Sequence, residues 1–284
     1  MNIIKLLDLL DIEAVEKEET EILNSRREAF RKMGSFSKKL SLAALPTAVL
    51  GSLPKVAFGR TNDVLGVLNY ALTLEHLEYR FYQTAIDASG LIPSEDRAVF
   101  EQIRKHEEAH VTFLQDTITQ LGGTPVAEPT FDFTAGGTFP DPFDPANYAV
   151  FMALAQAFED TGVRAYKGQA GALQDAASSS TMNTALTAAL SIHGVEARHA
   201  SQVRRMRAQK GWIVDDEAVS LGGEVVAATV PVYAGEDNVT QAGVDVTTLT
   251  PDFETSSVTE AYDEPLTMEA VAGEEGIAAA FIVS

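Results

Sequence analysis

The chain has no cysteine and a single tryptophan in 284 residues. Without cysteine there is no disulfide framework, thiolate nucleophile, iron–sulfur cluster or cysteine-type zinc site. Any metal must sit on histidine and carboxylate, and only five histidines are present. Positive charge is scarce: 21 Lys and Arg stand against 41 Asp and Glu, a formal net charge of −20. That balance argues against binding to a nucleic-acid phosphate backbone and against a polybasic membrane patch. No organic cofactor is expected. What the chain does have is 45% hydrophobic and 22% charged residues, ample for a buried core and unlike a disordered composition.

Charge divides the chain into three parts. Residues 1–59 hold nine basic and eight acidic side chains, 60–212 twelve and eighteen, and 213–284 none and fifteen. In the first part, Ser25, Arg26 and Arg27 open SRREAFRK, and an apolar stretch from Leu40 to Phe58 follows, broken by Pro46, Pro54 and Lys55. This resembles a twin-arginine secretion signal, which implies an exported or periplasmic protein; the alternative is an amphipathic leader retained on a cytoplasmic one. Two prolines and a lysine argue against a stable transmembrane span. The last part is Val/Thr-rich, as in EVVAATVPVY (224–233) and VTQAGVDVTTL (239–249), and reads as short β segments and loops. Fifteen acids and no base would by themselves keep the segment solvated through self-repulsion, which is the alternative. Against it, the Val/Thr alternation and the apolar ending GIAAAFIVS, costly to leave in water, lead us to expect that the extension folds against the bundle or a neighbouring subunit and favours a homo-oligomer.

The middle part carries helical periodicity in four segments. The first runs from about Asn62 to Ser89 and stops at Gly90, with a seam of Val64, Leu68, Ala71, Glu75, Glu78, Tyr82 and Ala85. The second, with Ser94 as N-cap, ends at Leu121 before Gly122 and Gly123; its seam includes Ile103, Glu107, His110 and Leu114. The third opens with Asp144 as N-cap and Pro145 in first position and runs to about Leu173. The fourth runs from near Thr181 to Gly211, with Ala189, His193, Glu196, His199 and Val203 on its seam. Four such helices predict an all-α bundle over 60–212. The link from Gly122 to Asp144 is long enough to cross a whole helix, whereas the other two links are short, so the bundle is two antiparallel hairpins joined by a crossover.

Carboxylates and imidazoles occupy the apolar seams. Burying an isolated carboxylate costs several kcal/mol, so these groups need a partner. Arg104, Arg198 and Arg204 fall off the seams, which leaves a bound cation as the simpler answer. The inward groups also repeat: Glu75 and Tyr82 are matched by Glu159 and Tyr166, Arg80 by Arg164, and Glu107 with His110 by Glu196 with His199, both ExxH. At 100° per residue, spacings of seven and of three each keep two groups on one face. Each of the four glutamates lies 13 to 15 residues from its helix ends, roughly 20 to 22 Å at 1.5 Å per residue, so all four ligand sets fall at one level.

One Glu from each of two helices and a Glu-x-x-His from each of the other two is the ligand pattern of di-iron and di-manganese carboxylate bundles. Residues 62–210 resemble the ferritin-like superfamily, and more narrowly the bacterial ferritin-like domain proteins, some called desiccation-related, that share a long leader and a C-terminal extension. The resemblance implies that Glu75, Glu107, His110, Glu159, Glu196 and His199 are metal ligands, with Glu107 and Glu196 bridging two Fe or Mn ions. Relatives often carry an Asp before the ExxH glutamate that orients a ligand histidine; here His106 and Val195 stand there.

Two carboxylate-bridged ions with open positions suit O2 or peroxide, so ferroxidase or peroxide-consuming redox chemistry is the leading expectation, with Tyr82 and Tyr166 as catalytic residues that donate hydrogen bonds or an electron. A metal-stabilised structural or envelope stress protein with little turnover is the alternative. A third reading is a zinc metallopeptidase through HEEAH (106–110), which explains neither the second ExxH nor the outer glutamates. Glu78, unmatched in the repeat, reads as an ordinary seam glutamate, His76 and His193 as structural or as supports behind the ligands, and Trp212 as a cap on the bundle end.

Overall fold

The computed structural model describes residues 63–176, 180–249, 252–273 and 276–283, all within one compact unit, Phe58–Ser284. The expectations placed on residues 1–59 lie outside the described residues. Four long helices form the core: α1 (Asp63–Asp87), α2 (Arg97–Gln120), α3 (Tyr148–Ala176) and α4 (Ser180–Met206). α1 packs on α2 and α3 on α4 as the two expected hairpins, and α1 against α3 joins them. Among the described residues no helix is long and apolar enough to cross a membrane.

The helix ends follow local chemistry. Asp96, rather than Ser94, stands at the N-cap of α2, because residues 94–96 form a turn first. At the other end Gly122 takes φ 80°, and the N–H groups of Gly122 and Gly123 return to the carbonyls of Thr119 and Ile118 at 2.9 Å, a Schellman closure that needs glycine. Asp144 accepts from the Ala146 N–H and caps a 3₁₀ turn, Pro145–Asn147, that feeds α3. α4 stops at Met206, short of Gly211, because Ala208 enters the left-handed region (φ 59°) and Gln209 N–H closes on the Arg204 carbonyl at 2.9 Å. A non-glycine there gives the sequence no stop signal, and Arg207 fixes the turn by donating to Gln156 Oε1 (2.5 Å) and the Ser220 carbonyl (2.6 Å).

The crossover brings aromatic side chains back to the bundle. Phe133 and Phe143 meet Phe81 at ring distances of 5.3 and 5.6 Å, and Phe81 stacks on Phe151 at 5.0 Å. The C-terminal extension lies on the same unit. Its described residues form two antiparallel hairpins, β1 (Ser220–Leu221) with β2 (Glu224–Val225) and β3 (Thr240–Gln241) with β4 (Val244–Asp245), and three short α-helices, α5 (Val230–Tyr233), α6 (Thr255–Thr259) and α7 (Met268–Ala272). The β content is therefore present but smaller than 224–233 suggested. Only Glu224–Val225 is strand; the rest coils into a 3₁₀ turn and α5, because that shape buries Val232 and Tyr233 against Ala153 and Ala157 of α3. Trp212 does not cap the bundle: it is 45% exposed and donates through Nε1 to Glu260 at 2.7 Å.

The extension is fastened at several points. Buried Arg164 pairs with Glu236 at 2.7 Å and donates to the carbonyls of Glu264 (2.7 Å), Val232 and Ala234. Leu266 N–H bonds the Arg164 carbonyl at 3.0 Å, and Phe281 meets Phe158 edge-on at 4.9 Å. The last residues pair with the crossover: Asp132 N–H to the Phe281 carbonyl and Val283 N–H to the Thr130 carbonyl, both 2.8 Å. Arg80, the repeat partner of Arg164, binds Glu128 of the crossover at 2.5 Å. Each of the matched arginines thus holds one of the two long added segments onto the bundle.

Candidate metal centre

The four helices bring all six predicted side chains to one place. Glu75 comes from α1, Glu107 and His110 from α2, Glu159 from α3, and Glu196 and His199 from α4, and the four glutamates are fully buried. They form two overlapping groups, Glu75, Glu107, His110 and Glu196, and Glu107, Glu159, Glu196 and His199. Within each group one ligand atom per residue lies within 4.8 Å of the others. Glu107 and Glu196 belong to both, the positions expected to bridge.

His110 Nδ1 is hydrogen-bonded to Glu75 Oε2 (3.1 Å) and Glu107 Oε2 (2.9 Å), but hydrogen bonds do not satisfy the rest of the cluster. Nδ1 of His199 is 2.9 Å from Glu107 Oε1 and 3.3 Å from Glu159 Oε2, yet His199 Nδ1, Glu107 Oε1, Glu159 Oε2 and both oxygens of Glu196 have no hydrogen-bond partner. These unpartnered atoms gather within the two groups instead of pairing with one another. Buried polar atoms are normally satisfied, so several orphans facing one spot indicate a ligand. Charge points the same way. Among the described residues no Lys or Arg pairs with the four glutamates: the nearby cations are spent elsewhere, Arg164 on Glu236 and Arg204 on Asp160. Arg204 lies off the seam as expected but is buried all the same, binding Asp160 through both Nε (3.1 Å) and Nη2 (2.5 Å), with Tyr233 Oη donating to the same carboxylate at 2.7 Å. Two divalent ions would balance four carboxylates, which two imidazoles cannot. The residues present fit a pair of hard or borderline cations.

Without such ions the cluster must share protons. Burial pushes the Glu107 carboxyl up to about 7, against the pull of His110 and His199. Burial, then Glu107 and Glu75, raises Glu196 well above the ordinary range. Burial would raise Glu75 too, but His110 and Tyr166 outweigh it and hold its carboxyl low. Burial opposes a charged His199, yet Glu159 and Glu107 overcome it and push that imidazole up to about 11; His110 is raised in the same way by Glu107, Glu196 and Glu75.

The two tyrosines cross over. Tyr82 of α1 donates to Oε1 of Glu159 on α3 at 2.5 Å, and Tyr166 of α3 donates to Oε1 of Glu75 on α1. Each outer glutamate is held by Oε1 and turns Oε2 inward, Glu75 to 3.1 Å and Glu159 to 3.3 Å from a histidine Nδ1. Burial and the adjacent carboxylates raise both phenols, so they remain donors.

Three residues carry more than the sequence disclosed. His106, which replaces the expected Asp, reaches across from α2 to α4: its Nδ1 is 2.8 Å from His199 Nε2, with the rings stacked 5.1 Å apart, and its Nε2 meets the Gln102 amide at 2.6 Å. The orienting contact survives in different chemistry. An HExxH zinc site would need His106 and His110 on one ion, and His106 belongs to neither group. Glu78 is 3% exposed rather than an ordinary surface-reaching seam residue; burial, then Glu196 and Glu159, pushes its carboxyl well up. Asp160, next to Glu159, gave no periodic signal because its partners come from α4 and the extension. His193 is structural, with Nδ1 3.0 Å from the Val163 carbonyl; His76 is buried, and burial lowers its pKa.

A comparison with curated proteins found no match. The family profile described as a ferritin-like domain matches residues 63–209, from the first residue of α1 to just beyond α4. That span is more than half the chain and contains every residue of the cluster, so the chain belongs to the ferritin-like domain family.

Proposed function

We propose that this protein holds two iron or manganese ions between Glu75, Glu107, His110, Glu159, Glu196 and His199, and uses them in ferroxidase or peroxide-consuming chemistry. The observation that carries this reading is the pair of four-residue groups that share Glu107 and Glu196 and present unpartnered oxygen and nitrogen atoms to a common space. Such ions, when bound, supply one-electron redox steps and open positions for O2 or peroxide.

The chain's own residues position and insulate. Tyr82 and Tyr166 fix the rotamers of Glu159 and Glu75 and keep one oxygen of each directed inward. When His199 offers Nδ1, its proton sits on Nε2 and is donated to His106 Nδ1; His106 then carries its own proton on Nε2, which requires the Gln102 amide to turn its oxygen toward that atom in place of the nitrogen that lies 2.6 Å away. Phe81, Phe100 and Phe151 pack around Tyr82 and exclude water from that side. The test is a comparison of iron-loaded wild-type protein with His110→Ala: the wild type oxidises Fe(II) or consumes peroxide faster, and equal rates would remove the redox reading.

One observation favours a second reading. All four glutamates are fully buried, and Glu78 and Gly162 beside them lie under Ile277 and Ala278 of the extension. A covered centre suits a metal that stabilises structure and turns over little. Two ions per chain with neither ferroxidase nor peroxidase turnover would select that alternative.

A further inference from the structure

The C-terminal extension contains a duplication of its own. At an offset of twenty residues, VSLGGEVVAATVPVY (219–233) aligns on VTQAGVDVTTLTPDF (239–253), matching Val219 to Val239, Gly223 to Gly243, Val226 to Val246, Pro231 to Pro251 and Tyr233 to Phe253. The backbone repeats with the sequence. β1 and β2 pair Leu221 with Glu224, and β3 and β4 pair Gln241 with Val244 in the same register. Gly222 and Ala242 turn at φ 60° and 51°, and Gly223 and Gly243 at 89° and 80°. Val226 N–H closes on the Val219 carbonyl at 2.8 Å, and Val246 N–H on the Val239 carbonyl at 3.0 Å.

The two motifs end differently. The first is docked: Thr229 and Tyr233 are buried, Val232 and Tyr233 pack against Ala153 and Ala157 of α3, and the Arg204 guanidinium of α4 lies over the Tyr233 ring, 5.6 Å from its centroid. In the second, Leu249 and Phe253 hold the places of Thr229 and Tyr233 and are 63% and 66% exposed. Phe253 stands between exposed Asp252 and Glu254, and no base pairs with either among the described residues. It also lacks the hydroxyl that Tyr233 donates to Asp160 at 2.7 Å, so a site for Phe253 needs no buried acceptor. The second motif is thus a docking element whose anchors face water, apolar at its centre and acidic at its edge.

A face of opposite character lies on α4. At 100° per residue, Leu190, Gly194, Ala197, Arg198, Ser201 and Arg205 fall within an arc of about 100°. Leu190, Ala197, Arg198 and Arg205 of that arc are exposed, and the one acid in α4, Glu196, is buried in the metal cluster. Among the described residues no carboxylate pairs with Arg198 or with Arg205, whose Nε meets Ser201 Oγ at 3.4 Å. A chain of net charge −20 repels its own copies except where faces of opposite sign meet. We propose that the second motif of one chain docks on this arc of α4 in a second copy of the chain. Phe253 lies beneath Arg198 or Arg205 there, as Tyr233 lies beneath Arg204, and Asp252 and Glu254 meet the same two cations. Exchanged in both directions, the contact closes a two-fold dimer.

Sedimentation velocity of the full chain tests this, with no dependence on what the metal centre does. Wild-type protein should be a dimer at micromolar concentration that weakens as salt rises. Phe253→Ser should raise the dimer dissociation constant about 100-fold or more, because it strikes an aromatic anchor at both contacts. Arg198→Glu combined with Arg205→Glu should do the same from the other side. All these side chains are exposed, and helical circular dichroism checks that each variant folds. Mixing the two variants should then produce a heterodimer that neither forms alone, since one of its two contacts is intact. A monomeric wild type, a dimer that survives either variant, or a mixture that stays monomeric would overturn the proposal.

Discussion

Gly168 and Gly171 sit one turn apart in α3, and replacing each with alanine should move stability in opposite directions. A helix-interior Gly→Ala change is intrinsically stabilising by about 1 kcal/mol, because it removes backbone freedom from the unfolded chain. At Gly171 nothing lies within 4 Å of the new Cβ, so that gain should appear almost whole. At Gly168 the Cβ would stand 1.9 Å from the Leu266 carbonyl oxygen. Relief to ordinary contact needs a displacement of about 1.5 Å. That shift breaks the Leu266 N–H bond to the Arg164 carbonyl (3.0 Å) and disturbs the Arg164 and Lys167 bonds to the Glu264 and Asp263 carbonyls. Three hydrogen bonds at about 1 kcal/mol each, plus partial loss of Leu266 burial at about 1 kcal/mol, give about 4 kcal/mol. After the helix gain the net loss should be about 3 kcal/mol. Urea unfolding of chelator-treated protein measures both variants, and limited proteolysis should cut Gly168→Ala first within the C-terminal extension. If Gly168→Ala proves as stable and as protease-resistant as Gly171→Ala, the docking of the extension on α3 is wrong.

His106→Leu should lower the affinity of one ion about 10- to 100-fold by removing the partner of His199, with helicity unchanged; intact affinity by metal titration would show that His106 orients nothing. Tyr82→Phe should cost the metal-free protein about 1 to 3 kcal/mol in denaturant unfolding, because Glu159 Oε1 loses its donor; no change would mean the bond is not formed. For pH, Glu107 is raised from 4.5 to about 7 in the folded state, so its contribution is full below 4.5 and lost as pH rises through 7. Glu196 and Glu78 act in the same direction, and His199, raised from 6.5 to about 11, loses its contribution above 6.5. Metal-free protein should therefore lose stability from pH 5 to 8, and the Tm gap to metal-loaded protein should widen over that range. A gap that narrows with pH would contradict the shared-proton account.

The bundle was legible because its signals are local and periodic. Glu75, Glu107, Glu159 and Glu196 interrupt apolar seams at matched positions, and Gly122 with Gly123 ends α2 through its own φ. The candidate ligand set follows from the same pattern, since an ExxH spacing on a helix fixes which way both side chains face. What escaped depends on partners distant in sequence. Arg204 falls off the seam of α4, and nothing local shows that the extension supplies Tyr233 and closes over it. The Val/Thr run at 224–233 has strand propensity and yields to burial of Val232 and Tyr233 in α5, a tertiary override of a weak local preference. The burial of Glu78 escaped for a related reason: it lies against Gly162, where a Cβ would stand 3.2 Å from Glu78 Oε1, and no periodicity reports such a gap.

The central claim is a dinuclear centre bridged by Glu107 and Glu196, and metal content per chain tests it most directly. Protein loaded with Mn(II) or Fe(II), freed of loose metal and analysed by elemental mass spectrometry should hold two ions per chain. Glu107→Ala and Glu196→Ala should each lose both, and Glu101→Ala, at a partly exposed residue of the same helix as Glu107 that pairs with Arg97, should keep two. One ion per chain in the wild type, or two retained in either bridging variant, would contradict the account.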